Sequence, residues 1–152
     1  MKYLKYIILL LVAVSFTSCL EMGLEELPAF SDSNIVNVKF EHRWSVKEGT
    51  SDKLRVRVLN TEYSVNKESA KVTCKVTVPA AGGEFTEEVR NSININKLIA
   101  YTTISTAATI TPLDGAPVLG APGDWSKPNK YLVTAADGSK QEWTIELTGL
   151  IK

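Results

Sequence analysis

Asp124-Trp-Ser-Lys-Pro-Asn-Lys-Tyr-Leu-Val-Thr-Ala-Ala-Asp-Gly-Ser-Lys-Gln-Glu-Trp-Thr-Ile-Glu-Leu147 reads as a loop, a strand, a tight turn and a returning strand. Alternation places Tyr131, Val133 and Ala135 on one face, and Trp143, Ile145 and Leu147 on one face of the return. Asp137-Gly138 between them is a pair that tolerates positive φ, so the chain reverses sharply. Tyr131 and Trp143 are therefore expected in a core.

Upstream the same period-two pattern recurs. Val36, Val38 and Phe40 alternate with Asn37, Lys39, Glu41 and Arg43, which is a strand with one wet face. His42 and Trp44 continue its inward phase, either capping the core or lining a rim. Val46 to Lys53, with Gly49, reads as a connecting loop, and Leu54-Arg-Val-Arg-Val-Leu59 as a strand with Leu54, Val56 and Val58 inward. Asn60 to Ser69 is polar, with room for a short strand at Tyr63-Ser-Val65; neither Tyr63 nor Tyr101 has a readable phase. Ala70 to Pro79 is a further strand, ended by the proline.

Ala80-Ala-Gly-Gly83 reads as a turn, across which Phe85 to Arg90 pairs back. Leu98 to Ile104 is a strand, with a short helix over Ile95–Ala100 as the alternative, and Ala108 to Thr111 another short strand. Gly115 to Asn129, rich in glycine and proline, is a long loop. Seven or eight short strands separated by turn signals, without an amphipathic helix, predict a single all-β antiparallel sandwich over residues 34–152.

The N-terminus carries an address. Lys2 and Lys5 precede an apolar run from Ile7 to Phe16, too short for a bilayer span of about 20 residues and suited to a secretory leader. It ends at Phe16-Thr-Ser-Cys19, a loose lipobox, so residues 1–18 are expected to be removed and Cys19 acylated. Residues 19–33 then form a tether. Removing the leader leaves 134 residues, enough for one core and short for two.

The whole chain has 17 basic and 17 acidic residues, and loss of Lys2 and Lys5 leaves it slightly acidic. That balance carries no footprint for nucleic acid and no polybasic membrane patch, so membrane attachment is expected through acyl chains on Cys19 alone. Cys74, sharing a face with Val72, Val76 and Val78, has no disulfide partner and reads as core.

The closing stretch also carries a resemblance. The Asp-aromatic-Ser-x-Pro loop (Asp124, Trp125, Ser126, Pro128), the Tyr-x-Val-Thr-Ala strand (Tyr131, Val133, Thr134, Ala135) and the Asp137-Gly138 turn resemble the closing hairpin of immunoglobulin-like modules in Bacteroidetes surface lipoproteins, of the domain-of-unknown-function 5018-related group. The acidic residues after Cys19, in Leu20-Glu-Met-Gly-Leu-Glu-Glu26, resemble the surface-export signal of such lipoproteins. The resemblance implies an immunoglobulin-like fold and a lipid-anchored place on the outer membrane, and it brings no activity with it.

Chemistry is sparse. One histidine, one cysteine besides Cys19 and no calcium-type acidic loop propose no metal and no cofactor. No Gly-x-Ser-x-Gly elbow and no phosphate-cradling loop appear. Glu84, Glu87 and Glu88 lie close together but read as a solvated face rather than a glycosidase pair. No enzyme is therefore expected. Binding remains, with Trp125, Trp44 and His42 as the candidate ligand contacts. Trp125 is either a ring offered to a sugar or a plug over the end of the sandwich. The chain is read first as a structural or protein-interaction module of an outer-membrane assembly, with a surface glycan-binding accessory role as the alternative. Exposed aromatics beside polar side chains would favour sugar; an uncovered apolar patch or a free sheet edge would favour a protein partner.

Overall fold

The computed structural model describes residues 29–152. The leader, Cys19 and most of the tether lie outside the described residues.

Among the described residues the fold is all-β, with nine strands in two sheets. These are β1 (Ile35–Glu48), β2 (Ser51–Val58), β3 (Asn60–Asn66), β4 (Lys71–Thr77), β5 (Leu98–Ile104), β6 (Thr109–Leu113), β7 (Pro122–Gly123), β8 (Asn129–Thr134) and β9 (Lys140–Ile151). One sheet runs β2-β1-β5-β7 and the other β3-β4-β9-β8-β6. Both contribute to a single buried cluster. Ile35, Val38, Phe40, Leu98 and Ala100 come from the first sheet; Val72, Cys74, Val76, Tyr131, Val133, Trp143, Ile145 and Leu147 come from the second.

The β8–β9 hairpin follows the pattern of its residues. Tyr131 pairs with Trp143, and both are fully buried. Each polar tip finds a carbonyl, as buried Tyr and Trp require: the Tyr131 hydroxyl donates to Pro117 O at 2.8 Å and the Trp143 indole N–H to Ser33 O at 2.9 Å. Of the turn pair only Gly138 takes positive φ (84°). Ala135 O accepts from Gly138 N, and Ala135 N donates to Ser139 O, so the reversal uses three residues with glycine at its left-handed position.

Several expectations are corrected. The expected loop over Val46–Lys53 is mostly strand, because β1 and β2 are joined by only two residues, Gly49 and Thr50, with Gly49 at φ 64°. This tight hairpin pairs Glu48 with Ser51, and hence Trp44 with Arg55, His42 with Arg57, Arg43 with Val56 and Glu41 with Val58. Paired residues share a face. Since Val38 and Phe40 point inward, Arg55 and Arg57 do too, and Leu54, Val56 and Val58 face out, opposite to expectation.

The sheets are not wholly antiparallel. β4 runs parallel to β9, with Val72 beside Ile145 and Cys74 beside Leu147. Phe85 to Arg90 does not form a paired strand; apart from a bridge between Gly82 and Phe85, the chain enters a short helix, α1 (Glu87–Ser92). Thr86 caps it by accepting from Val89 N at 3.2 Å, and Glu87 and Glu88 sit in its first turn, where carboxylates suit the helix dipole. A single 3-10 turn, Ile95–Lys97, leads into β5.

Candidate interaction face

The loop of residues 124–129 is built by its own polar side chains. Asp124 Oδ1 accepts from Ser126 N at 2.9 Å, and Asn129, itself buried, donates to Asp124 O and Lys127 O at 3.1 Å each. These bonds turn Trp125 inward. Its backbone N–H donates to Ile95 O and its indole N–H to Leu98 O, both at 3.1 Å. The ring meets Phe40 edge-on at 5.0 Å and stacks over Tyr131 at 6.3 Å. Trp125 is fully buried and offers no face to a ligand, which corrects its candidacy as a contact.

His42 and Trp44, the other two candidates, do lie together. Their rings stack at 6.0 Å, next along β1 from Phe40, and both residues are half-buried. Trp44 packs against Phe85 at 5.6 Å, and the Arg57 guanidinium lies 4.8 Å over the same Phe85 ring. This inward corner holds three buried nitrogens without partners among the described residues: His42 Nε2, Trp44 Nε1 and Arg57 Nε. Burial lowers the His42 pKa below its ordinary value, because the low-dielectric surroundings disfavour the imidazolium.

Next to it Arg55 is held by two carboxylates. It makes a two-pronged contact with Glu84 at 2.6 and 2.9 Å and a third bond to Glu48 at 2.6 Å; Glu48 also pairs with Lys53. Hydrogen bonds from Lys53 and Arg55 hold the Glu48 carboxyl below its usual range, and one from Arg55 does the same for Glu84. Arg57 has no ion pair or hydrogen bond of its own among the described residues. Nothing in the residue types alone separates the two arginines; Glu84 reaches only the nearer.

The other side of β2 is the least expected surface of the molecule. Leu54, Val56 and Val58 stand outward at 60%, 49% and 59% exposure on the strand that ends its sheet. Beside them on β1, Glu41, Arg43 and the Tyr101 hydroxyl of β5 interlock. Arg43 Nε meets Glu41 at 2.6 Å and another Arg43 nitrogen donates to the Tyr101 hydroxyl, which in turn donates to Glu41 at 3.0 Å. Arg43 is further tied to Gly120 O at 3.3 Å. The apolar row thus borders a hydrogen-bonded polar network. The signal for it lay in the Glu48-Gly-Thr-Ser51 spacing, which fixes the register once the turn is counted as two residues.

Beyond Val58 an open groove of about 390 Å³ is lined by Lys39, Asn60, Thr61, Glu62 and Tyr63, a residue 46% exposed. Cys74 is buried in the core, with its thiol pKa pushed up to about 12 by desolvation. Among the described residues no three His, Cys, Asp or Glu side chains gather to hold a metal, and no helix is long and apolar enough to cross a membrane.

Residues 35–146 match the family described as DUF5018-related. A crystal structure of a candidate secreted protein from Bacteroides fragilis NCTC 9343 is similar over 82% of this chain and 100% of that one, with TM-score 0.76 and 37% identity. A candidate glycoside hydrolase from Bacteroides thetaiotaomicron is similar over 82% of this chain and 27% of its own, with TM-score 0.47 and 22% identity, too remote to carry an argument. No curated protein matches the chain. On the family match and the likeness to the Bacteroides fragilis protein, the chain belongs to the DUF5018-related family.

Proposed function

We propose that this chain is a non-enzymatic cell-envelope protein, an immunoglobulin-like sandwich anchored by acyl chains on Cys19 at the outer-membrane surface, that docks a protein partner through the outer face of β2. The observation that carries this reading is the row Leu54, Val56 and Val58, left in water on an edge strand. Burying one such side chain stabilises by about 1.5–3 kcal/mol, so three adjacent exposed ones offer a partner several kcal/mol. Export is supported by the Bacteroides fragilis relative and by the leader-like N-terminus. The buried, undissociated thiol of Cys74, and His42 Nε2 left without a partner among the described residues, support a role without catalysis.

The test is co-purification from the outer membranes of the native host, comparing the wild type with a Val56→Asp variant of equal thermal stability. A discrete partner lost only in the variant is expected. Equal recovery in both would refute the proposed face. A glycan reading has one specific support, the exposed Tyr63 ring beside Lys39, Asn60 and Glu62. Retention on a polysaccharide gel that disappears with Tyr63→Ala would move the function there.

A further inference from the structure

Four strands end the two sheets: β2, β7, β3 and β6. Three are poor templates for another strand. β7 is two residues long, β6 contains Pro112, and the outward side chains of β3 are the polar Asn60, Glu62, Ser64 and Asn66. β2 is different: eight residues, no proline, an apolar outer row, and a cationic inner row of Lys53, Arg55 and Arg57. Two carboxylates, Glu48 and Glu84, serve Lys53 and Arg55. Arg57 is left with an aromatic ring beneath it and a buried, unpartnered Nε.

We infer that the free edge of β2 accepts an added extended strand whose residues alternate apolar and acidic, the apolar ones extending the row Leu54, Val56 and Val58 and a carboxylate standing opposite Arg57. This rests on the protein-docking reading above and names the chemistry of the partner. Backbone hydrogen bonds along the edge would supply affinity, and the two side-chain rows would supply selection. A second copy of this chain is the wrong occupant. In antiparallel pairing of two β2 strands, the register that matches all three apolar residues, Leu54 with Val58 and Val56 with Val56, sets Arg55 against Arg57 of the second copy and Arg57 against its Arg55, and like charges directly opposite are destabilising. A carboxylate there instead forms a charge-assisted bond with a guanidinium that has none.

The probes are two capped peptides of about eight residues, one alternating valine with glutamate and the other valine with lysine. The readout is hydrogen–deuterium exchange of the full chain, followed by mass spectrometry. The glutamate peptide should slow exchange over residues 51–58 by at least about tenfold, while the lysine peptide leaves it unchanged. In an Arg57→Gln variant the discrimination between peptides should vanish. Should that variant fail to fold, the salt dependence of the wild type serves instead: protection by the glutamate peptide should fall at about 0.5 M salt. No slowing by either peptide, equal slowing by both, or protection on β3 or β6 instead of β2 would each overturn the inference. If the peptides fail while Val56→Asp still abolishes partner recovery, this inference falls and the docking reading stands; if neither responds, both fall.

Discussion

Replacing Trp125 with alanine should cost this domain about 4 kcal/mol, although the residue sits in a loop. The ring is fully buried between Phe40 and Tyr131. A buried tryptophan removes roughly 150–250 Å² from water, worth about 4–6 kcal/mol at about 25 cal/mol per Å². That figure is an upper bound because the unfolded chain already hides part of the ring, and large-to-small core replacements usually lose about 3–5 kcal/mol. Trp125→Phe separates the contributions. It keeps most of the packing but deletes the N–H that donates to Leu98 O, at a cost of about 0.5–1.5 kcal/mol for the lost bond. Urea unfolding followed by far-ultraviolet circular dichroism reads both variants. The midpoint should fall with an unchanged slope, further for alanine than for phenylalanine. A loss below about 1 kcal/mol for Trp125→Ala would refute the reasoning, since such a ring could not be holding the 124–129 loop against the core.

Other consequences follow from single contacts. Burial depresses the folded pKa of His42 below its ordinary 6.5, so its contribution to stability is present above that pH and is lost as pH falls towards the folded value. The urea midpoint of the wild type should therefore drop between pH 7.5 and 5 by more than that of His42→Gln; parallel behaviour would remove His42 from the account. Gly123→Ala should cost about 1–3 kcal/mol, because an added Cβ would fall 2.2 Å from Pro117 Cβ, and calorimetry would detect it. Cys74, with its pKa pushed to about 12, should react with a thiol reagent only after denaturation, judged against Cys74→Ser. Rapid native labelling would mean the strand opens readily.

The residues disclosed the fold unevenly. Period two announces a strand, and where a partner strand packs above it the apolar face is inward, as with Val38 and Phe40 or Trp143 and Ile145. For Leu54-Arg-Val-Arg-Val58 the same alternation names two faces without saying which is buried. That choice is made by a two-residue turn, which binds β2 to the phase of β1. The parallel union of β4 with β9 joins residues some 70 positions apart, and local pattern holds no signal for it. The helix at Glu87–Ser92 is short enough that a capping threonine and two acidic residues decide it. The site was partly legible. His42 and Trp44 continue the inward phase of β1, and the structure finds them half-buried, whereas Trp125 is turned inward by hydrogen bonds that Asp124 accepts and Asn129 donates, which no spacing reveals. The two arginines behind β2 went unread because their burial reverses the usual order of charged and aliphatic residues.

The measurement that bears most directly on the account is site-specific photo-crosslinking in the native host. A photoreactive side chain would be placed at position 56, and in a separate strain at position 142, where exposed Glu142 faces away on β9. The docking account predicts one discrete protein adduct from position 56 and none of that size from position 142. No adduct at position 56, or the same adducts from both positions, would contradict it.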